Sequence, residues 1–178
     1  MIYKFRVILD AEEDVFRDIA IESHQTLMDL HDAISNAFGF DGSELASFFT
    51  CDDNWNQGEE IPLMDAGDDL ETLKQMSDFE ISDLLHEEQT KIIYVYDFFA
   101  MWTFFVELAA IETAEIGQTY PALLFAHGIL PAQAPQNDFD FDGGESEFDD
   151  FDSFDEDELD GFGDADGYGD MGFEENWN

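Results

Sequence analysis

Apolar and polar residues alternate in two stretches at the start of the chain. In IYKFRVIL, residues 2–9, every second side chain is apolar, which predicts a half-buried β-strand. After the polar turn DAEED, the stretch VFRDIAIE carries Phe16, Ile19 and Ile21 and predicts a second strand. Because only a short turn separates the two strands, we expect them to pair as a hairpin.

The apolar spacing changes to that of a helix in TLMDLHDAISNAFG, residues 26–39. Thr26 is expected to cap the helix N-terminus, with Asp29 in the first turn, where a negative charge is favourable. Gly39 suits the left-handed conformation that ends many helices. The apolar positions recur three or four residues apart and form one stripe of Leu27, Leu30, Ala33, Ile34, Ala37 and Phe38.

The rest of the body predicts more strands than helices. LASFFTC predicts a strand, IPLMD a short one, and KIIYVYDF and TFFVELAAIE two strong strands close enough to pair. EISDLL predicts a short helix or turn, with Ser77 or Ser82 as its cap. The order of these elements predicts an α+β domain, with a β-grasp-like mixed sheet and one main helix packed across it.

A change in composition divides the chain. The body, residues 1–130, has apolar periodicity, whereas PAQAPQN, residues 131–137, is typical of a linker. Residues 138–178 hold 18 of the 45 acidic residues, no basic residue and almost no aliphatic ones. Such a segment buries too little apolar surface to offset its ordering entropy. We therefore predict an acidic tail that is disordered when unbound.

The charge limits the partners. With 5 basic and 45 acidic residues, the formal net charge is −40. A field of this sign repels the phosphates of nucleic acids and anionic membranes, which argues against direct binding to either. It favours cations and basic proteins. A halophile-like surface that keeps the protein soluble is the alternative explanation.

Location follows from the cysteine count and the apolar runs. The single cysteine, Cys51, allows no internal disulfide and fits a reducing compartment. The stretch MIYKFRVILD lacks the pattern of a signal peptide. Residues 92–111 are long enough for a membrane span, but Asp97 and Glu107 interrupt them, and two strands explain them better. We expect a cytoplasmic protein.

Several segments resemble one known family. YKFRVIL, FRDIAIE, TLMDLHDAISNAFGF, SDLL and YVYDFFAMWTFFVEL are similar to the plasmid pRiA4b ORF-3-like family over about residues 1–112. The most specific parts are DLHDAI…AFGF and the pattern of Tyr96, Asp97, Phe98 and Trp102. The resemblance implies a small α+β domain of β-grasp type. Some members are described as insertion-element passenger proteins, which implies an association with mobile elements but no mechanism.

The chain departs from the family pattern at three places. Phe16-Arg17 stands where the family usually has Trp-Arg, Phe99 replaces a glycine, and Thr103 and Phe104 follow Trp102 where a histidine is usual. The Cys/Pro/Gly-rich C-terminal segment of longer members is missing from this sequence. Sites that depend on that histidine or that segment do not transfer to this chain.

The stretch DFDFDGGESEFD partly matches an EF-hand calcium loop. Asp138, Asp140 and Asp142 occupy ligand positions, and Gly143 the turn position, but Asp149 replaces the bidentate glutamate. In a segment so rich in aspartate, the match arises easily by chance. We expect no dedicated cofactor or metal, and only weak, nonspecific binding of divalent cations.

Aromatic residues are spread among the acids of the tail. Carboxylates can attract a basic surface, and rings can anchor in apolar pockets, so that together they could mimic single-stranded nucleic acid. We favour an interaction tail over a charged brush that serves only solubility. Its candidate partner-binding residues are Phe139, Phe141, Phe148, Phe151, Phe154, Phe162, Phe173 and Trp177, with Tyr168 among them.

No catalytic constellation is evident in the body. Asp52 and Asp53 should raise the pKa of the Cys51 thiol, which disfavours a nucleophile. Loop solvation explains the acids of residues 51–65 better than a metal site does. His31 fits packing or hydrogen bonding in the helix better than metal binding.

Tyr96, Asp97 and Trp102 flank the turn between the last two predicted strands. Core packing is the favoured role for most of them. Asp97 could cap that turn, or line a small surface together with the two aromatic residues.

These observations favour a non-enzymatic cytoplasmic interaction module. Its body would dock one partner, for example along a sheet edge, and its tail would bind a basic protein, such as a nucleic-acid-binding one. Two alternatives remain open: an accessory protein in transposition or recombination, and an enzyme of unknown type.

Overall fold

A seven-stranded β-sheet forms the centre of the protein in a computed structural model, which describes residues 1–65, 67 and 74–136. The strands are β1 (Ile2–Leu9), β2 (Phe16–Glu22), β3 (Ala46–Cys51), β4 (Gln57–Pro62), β5 (Lys91–Tyr96), β6 (Trp102–Glu112) and β7 (Ala122–His127). Two helices, α1 (Leu27–Phe38) and α2 (Ile81–Leu84), and a 3-10 turn at Met76–Asp78 connect them. The protein is therefore α+β and dominated by its sheet.

Neighbouring strands in this part of the chain all run antiparallel, in the order β4-β3-β5-β6-β1-β2-β7. The expectation of a mixed sheet was wrong. The hairpins β1–β2, β3–β4 and β5–β6 are antiparallel because short connections join their strands, and β6 then pairs with β1, also antiparallel. The predicted pairs β1–β2 and β5–β6 are confirmed.

Helix α1 has the limits that its sequence predicts. The Thr26 hydroxyl accepts a hydrogen bond from the Asp29 N–H, and the Asp29 carboxylate accepts one from the Thr26 N–H at 2.8 Å, which together form a capping box. Gly39 ends the helix with φ 79°. These local contacts satisfy backbone groups that the helix leaves unpaired, so its two ends are set by its own sequence.

The helix packs its apolar stripe on one face of the sheet. The Phe38 and Phe104 rings lie 4.6 Å apart between centroids, and Leu27, Leu30 and Ile34 are completely buried. Burial of one such side chain contributes about 1.5–3 kcal/mol. The sheet and α1 therefore share one core, which holds the strand ends in place.

Two elements differ from the sequence prediction. The N-cap of α2 is Glu80, whose N–H is bonded by the Asp83 carboxylate at 3.2 Å, rather than Ser77 or Ser82. Strand β7 was not predicted, although it extends the sheet beyond β2. After β7 the chain returns toward the body, and Leu130 and Ala134, the latter in the predicted linker, pack against the core.

Candidate interaction site

Two of the five basic side chains lie on β1 and form ion pairs with acids of the flanking strands β6 and β2. The Lys4 Nζ lies 2.6 Å from the Glu112 carboxylate, and this hydrogen bond raises the lysine pKa. Arg6 makes two hydrogen bonds of 2.8 Å to the Asp18 carboxylate, and its guanidinium lies over the Phe16 ring at 4.3 Å. The sequence places Lys4, Arg6 and Arg17 on the first predicted hairpin and favours internal salt bridging for all three. This prediction is confirmed for Lys4 and Arg6 and is wrong for Arg17.

Arg17 forms no ion pair with an acid of the described residues and instead joins α1, β2 and β7. Its guanidinium lies 4.8 Å from the centre of the Phe38 ring. It donates hydrogen bonds to four main-chain carbonyl oxygens, those of Ala37 (3.1 Å), Phe16 (2.9 Å), His127 (2.8 Å) and Gly128 (3.3 Å). Arg17 is thus a structural cross-link at one edge of the sheet.

The other two basic residues are also engaged. The Lys91 Nζ donates a hydrogen bond to the Asp53 carbonyl oxygen at 2.6 Å and lies 5.0 Å from the Trp55 ring. The Lys74 Nζ lies 5.4 Å from the Phe79 ring. Every lysine and arginine of the chain therefore has a partner within the fold.

The β4 edge of the sheet is acidic. The carboxylates of Asp52, Asp53, Glu59 and Glu60 belong to exposed residues of this hairpin, which joins β3 to β4. The Asp52 carboxylate accepts hydrogen bonds from the Asn54 and Asn56 main chain and from the Asn56 amide, and these bonds lower its pKa. The loop is thereby held in shape with its charge intact.

Gly58 keeps β3 and β4 close together. A Cβ at this position would lie 2.6 Å from the Thr50 hydroxyl oxygen, too close for any other residue without a shift. The Thr50 hydroxyl accepts the Glu59 N–H at 2.8 Å, and the Ser47 hydroxyl donates to the Glu60 carboxylate at 2.7 Å. The Glu59 carboxylate therefore remains available at an edge where a further strand could add.

The β7 edge, at the opposite end of the sheet, is apolar. Leu123, Leu124 and Phe125 are exposed by 53%, 46% and 53%. An edge strand normally carries charges, a proline or a covering segment that blocks further pairing. Within the described residues β7 pairs only with β2, and it contains no Asp, Glu, Lys or Arg.

Sequence reasoning missed this edge, although a signal for it was present. Residues 116–137 contain no Asp, Glu, Lys or Arg in a chain that is 28% charged. The stretch ALLFAH lacks the two-residue alternation of a half-buried strand, because most of its side chains are exposed. The absence of charged residues, rather than apolar periodicity, is the signal from which this edge strand could have been predicted.

A shallow apolar groove lies between β7 and α1. Ala33 and Ala37 of the helix, Ile19 of β2 and Ala122 and Leu123 of β7 line most of it, and its volume is about 190 Å³. On the opposite face of the strand, the Phe16 ring stacks on His127 at 5.1 Å and lies 6.0 Å from Phe125. Apolar surface is thus exposed on both faces of the edge strand.

The structure separates the three residues of the predicted turn surface. Tyr96 and Trp102 are buried at 3% and 8% exposure, and both pack on the Phe40 ring. Asp97, with φ 58°, accepts hydrogen bonds from the Phe99 and Ala100 N–H groups through its carboxylate. Asp97 thus caps the turn, while the two aromatic residues belong to the core.

His31 lies in a small polar cluster inside the core. Its Nδ1 is 2.7 Å from the Tyr94 hydroxyl, which also lies 3.4 Å from the Ser35 hydroxyl. Burial lowers the pKa of His31 and raises that of Tyr94, so both are neutral at pH 7. The expected hydrogen-bonding role of His31 is confirmed, and none of the described cavities is lined by these residues.

Cys51 is buried and unreactive in character. Burial, followed by the Asp52 charge, raises the pKa of its thiol to about 11. The predicted effect of Asp52 and Asp53 on this thiol is confirmed. Among residues 1–65, 67 and 74–136, no group of three or more His, Cys, Asp and Glu side chains is arranged to hold a metal ion.

The residues predicted for the tail lie outside the described part of the chain. This holds for the weak metal candidates Asp138, Asp140, Asp142 and Asp149 and for all the aromatic anchors between Phe139 and Trp177. Within the described part, none of the helices has the length and apolar character needed to cross a membrane.

Comparisons with known proteins agree with the resemblance of the sequence. The family model described as "Plasmid pRiA4b ORF-3-like protein" matches residues 1–158. The chain is also similar to the crystal structure of a protein of unknown function, MM3350, from Methanosarcina mazei Go1. The TM-score is 0.61 at 24% identity, over 70% of this chain and 68% of that one, which shows a likeness of fold alone. No curated protein matches the chain.

Proposed function

We propose that this chain, which belongs to the plasmid pRiA4b ORF-3-like family, is a non-enzymatic interaction module that binds a basic protein partner. The body contributes the acidic β4 edge, and residues 138–178 contribute a second acidic segment with aromatic anchors. A partner strand with lysine or arginine side chains could add beside β4 through main-chain hydrogen bonds and meet the carboxylates of Asp53 and Glu59.

One observation carries this proposal: each of the five basic side chains contacts a partner in the fold, whereas the acids at the β4 edge are exposed. The field outside the body is therefore strongly negative, and it accelerates encounters with positively charged proteins. The same observation supports the absence of direct nucleic-acid binding, because the few basic side chains already have partners in the fold and are far outnumbered by acids.

The proposed role of the tail rests on its sequence. Carboxylates alternate with rings, so the tail could occupy a groove that otherwise holds single-stranded nucleic acid. The partner would then be a nucleic-acid-binding protein. The engagement of aromatic anchors in its pockets would add affinity that salt does not remove.

The proposal also includes two finer points on fold and location. The hairpin–helix–strand order at the start of the body supports a β-grasp-like description of the sheet. The lone buried Cys51 supports a reducing compartment such as the cytoplasm. Its protonated thiol also supports a function without a cysteine nucleophile.

The test measures binding of the full chain to a lysine-rich peptide. Affinity should fall steeply between about 50 mM and about 500 mM salt, because the Debye length shortens severalfold. The double variant Asp53→Asn/Glu59→Gln should bind more weakly than Glu87→Gln/Glu88→Gln, which removes the same charge from exposed positions between α2 and β5. A pull-down from native lysate, with the full chain and with residues 1–136 as baits, then names the natural partner.

Two results would contradict the proposal. Binding that is equal at both salt concentrations would show that charge does not drive it. Equal weakening by both double variants would show that the β4 edge contributes nothing beyond net charge. Partners that are retained by residues 1–136 would assign the interaction to the body rather than to the tail.

A further inference from the structure

We infer that the β7 edge is a dimer interface, on which a second copy of this chain pairs antiparallel with β7 and extends the sheet across a two-fold axis. This inference concerns the opposite end of the sheet from the β4 edge and does not depend on the proposed basic partner. It rests on the geometry of β7 and on the distribution of charge along the chain.

Strand β7 has the features of an edge strand that can pair with another strand. It is at the end of the sheet, and within the described residues no other strand lies beyond it. Leu123, Leu124 and Phe125 leave about half of their surface exposed, and Ile129 just beyond the strand is 88% exposed. Natural edge strands of this length normally carry a charge that prevents association. Burial of these side chains would remove an apolar patch that a monomer rarely leaves exposed.

The other edge strand shows the usual protection. Strand β4 carries Glu59 and Glu60 and ends at Pro62, so two copies of this edge would bring like charges together. Strand β7 contains no such residue. The contrast between the two edges of one sheet indicates that β7 associates with a surface of different chemistry from the partner of β4.

The distribution of charge leaves β7 as a place where a second copy can approach. Two chains that each carry a net charge of −40 repel one another over most of their surface, and can approach only where acids are absent or neutralised. Residues 116–137 are free of charge. Two of the neighbouring acids are paired: Asp18, opposite Phe125 in the register, binds Arg6, and Glu112 binds Lys4.

A basic partner would gain nothing at this edge, because it offers no free carboxylate in β7 itself. Antiparallel pairing of β7 with its own copy is self-complementary, as a two-fold interface requires. The groove of Ala33, Ala37 and Leu123 beside the strand could receive an apolar side chain from the second copy. The apolar side chains on both faces of β7 would then lie beside those of the second copy.

The experiment is sedimentation equilibrium of the full chain at low and high salt. We expect a mass of twice 20.3 kDa at micromolar concentration. Raising the salt should leave the dimer unchanged or tighten it, because salt screens the repulsion between the two acidic chains. This response is opposite in sign to that expected for a basic partner at β4.

The variant Phe125→Lys should weaken the dimer by roughly tenfold or more, because it removes an apolar ring and places a charged ammonium group in the apolar interface. Phe99→Lys is the matched control, because it makes the same change at a fully exposed phenylalanine in the turn between β5 and β6. Phe125→Thr, a residue that favours strands, removes the ring without adding charge and should weaken the dimer less. Far-UV circular dichroism verifies that each variant is folded.

A monomer at both salt concentrations would overturn the inference. So would a dimer that Phe125→Lys and Phe99→Lys affect equally, or one that dissociates as salt rises. A monomer whose β7 amides nevertheless resist hydrogen exchange would assign the edge to a segment of the same chain, which also refutes the two-fold dimer.

Discussion

Arg17 offers the most direct test of how this sheet is held together at its β7 edge. The perturbation is Arg17→Met, which keeps much of the aliphatic length and removes the guanidinium. Four carbonyl oxygens lose a donor, on the helix, on β2 and at the end of β7, and the ring of Phe38 loses its cation.

The expected loss can be worked out from these contacts. A hydrogen bond from a charged donor contributes about 1.5–3 kcal/mol when it is buried. Arg17 is half-buried and water can replace it at some of the carbonyls, so the contributions are reduced. With about 0.5–1 kcal/mol from the cation–π contact, we expect a total loss of about 2–4 kcal/mol in the free energy of unfolding.

Two further variants separate geometry from charge. Arg17→Lys keeps the positive charge but cannot reach carbonyls of three elements at once, so it should lose about half as much. Arg6→Met removes an arginine from the adjacent strand, β1. The Arg6 side chain is 47% exposed and forms a surface ion pair with Asp18. It should lose only about 0–1 kcal/mol.

Urea denaturation of the full chain at one protein concentration, followed by circular dichroism, measures all three variants. The order of destabilisation should be Arg17→Met, then Arg17→Lys, then Arg6→Met. If Arg17→Met costs no more than Arg6→Met, the carbonyl contacts of Arg17 contribute nothing and the reasoning is wrong. If Arg17→Lys is as stable as the native chain, charge alone suffices and the forked geometry is irrelevant.

Three other predictions follow from the core and the loops. Burial lowers the pKa of His31, so its stabilising neutral form is fully present above about pH 6.5 and is lost as the pH falls. The thermal unfolding temperature of His31→Gln should therefore fall less in acid than that of the native chain. Parallel curves of unfolding temperature against pH would contradict this. The Cys51 thiol, with its pKa raised to about 11, should react with iodoacetamide at about pH 8 roughly 100-fold more slowly in the native chain than in urea, and equal rates would refute its burial. Gly128→Ala places a Cβ 2.5 Å from the Asp14 carbonyl oxygen, whereas Gly39→Ala meets open space at a similar φ. Urea denaturation should show that Gly128→Ala loses about 1–3 kcal/mol more in the free energy of unfolding than Gly39→Ala. Similar losses in the two variants would exclude the steric clash.

The proposed division of the sheet into an acidic edge and an apolar edge gives these tests a common reference. Arg17 and Gly128 both hold the end of β7 against the body, through the Gly128 carbonyl and through its close contact with Asp14. Loss of either contact should therefore loosen β7 and weaken the inferred dimer along with the fold. Phe125 affects only the outer surface of the strand, which is why it is the better probe of association.

The helices and strands with local sequence signals could be predicted without the structure. Thr26, Asp29 and Gly39 set the two ends of α1 through contacts that span only a few residues, and the alternation in residues 2–9 identified β1. The family membership was also readable from local motifs. Composition alone gave the excess of acids, and with it the class of partner that the proposal names.

Features that depend on contacts between distant parts of the chain became evident only in the folded structure. His31 and Tyr94 are 63 positions apart, and the buried polar pair exists only because α1 crosses β5. The direction and order of the strands follow from β6 lying beside β1, which no local pattern reports. Strand β7 escaped prediction because its exposed side chains lack the alternation that burial imposes. Its pairing with β2 alone, among the strands that the structure describes, is evident only in the folded chain. Local sequence signals therefore predicted individual helices and strands, whereas the contacts between these elements set which surfaces of the described residues are exposed.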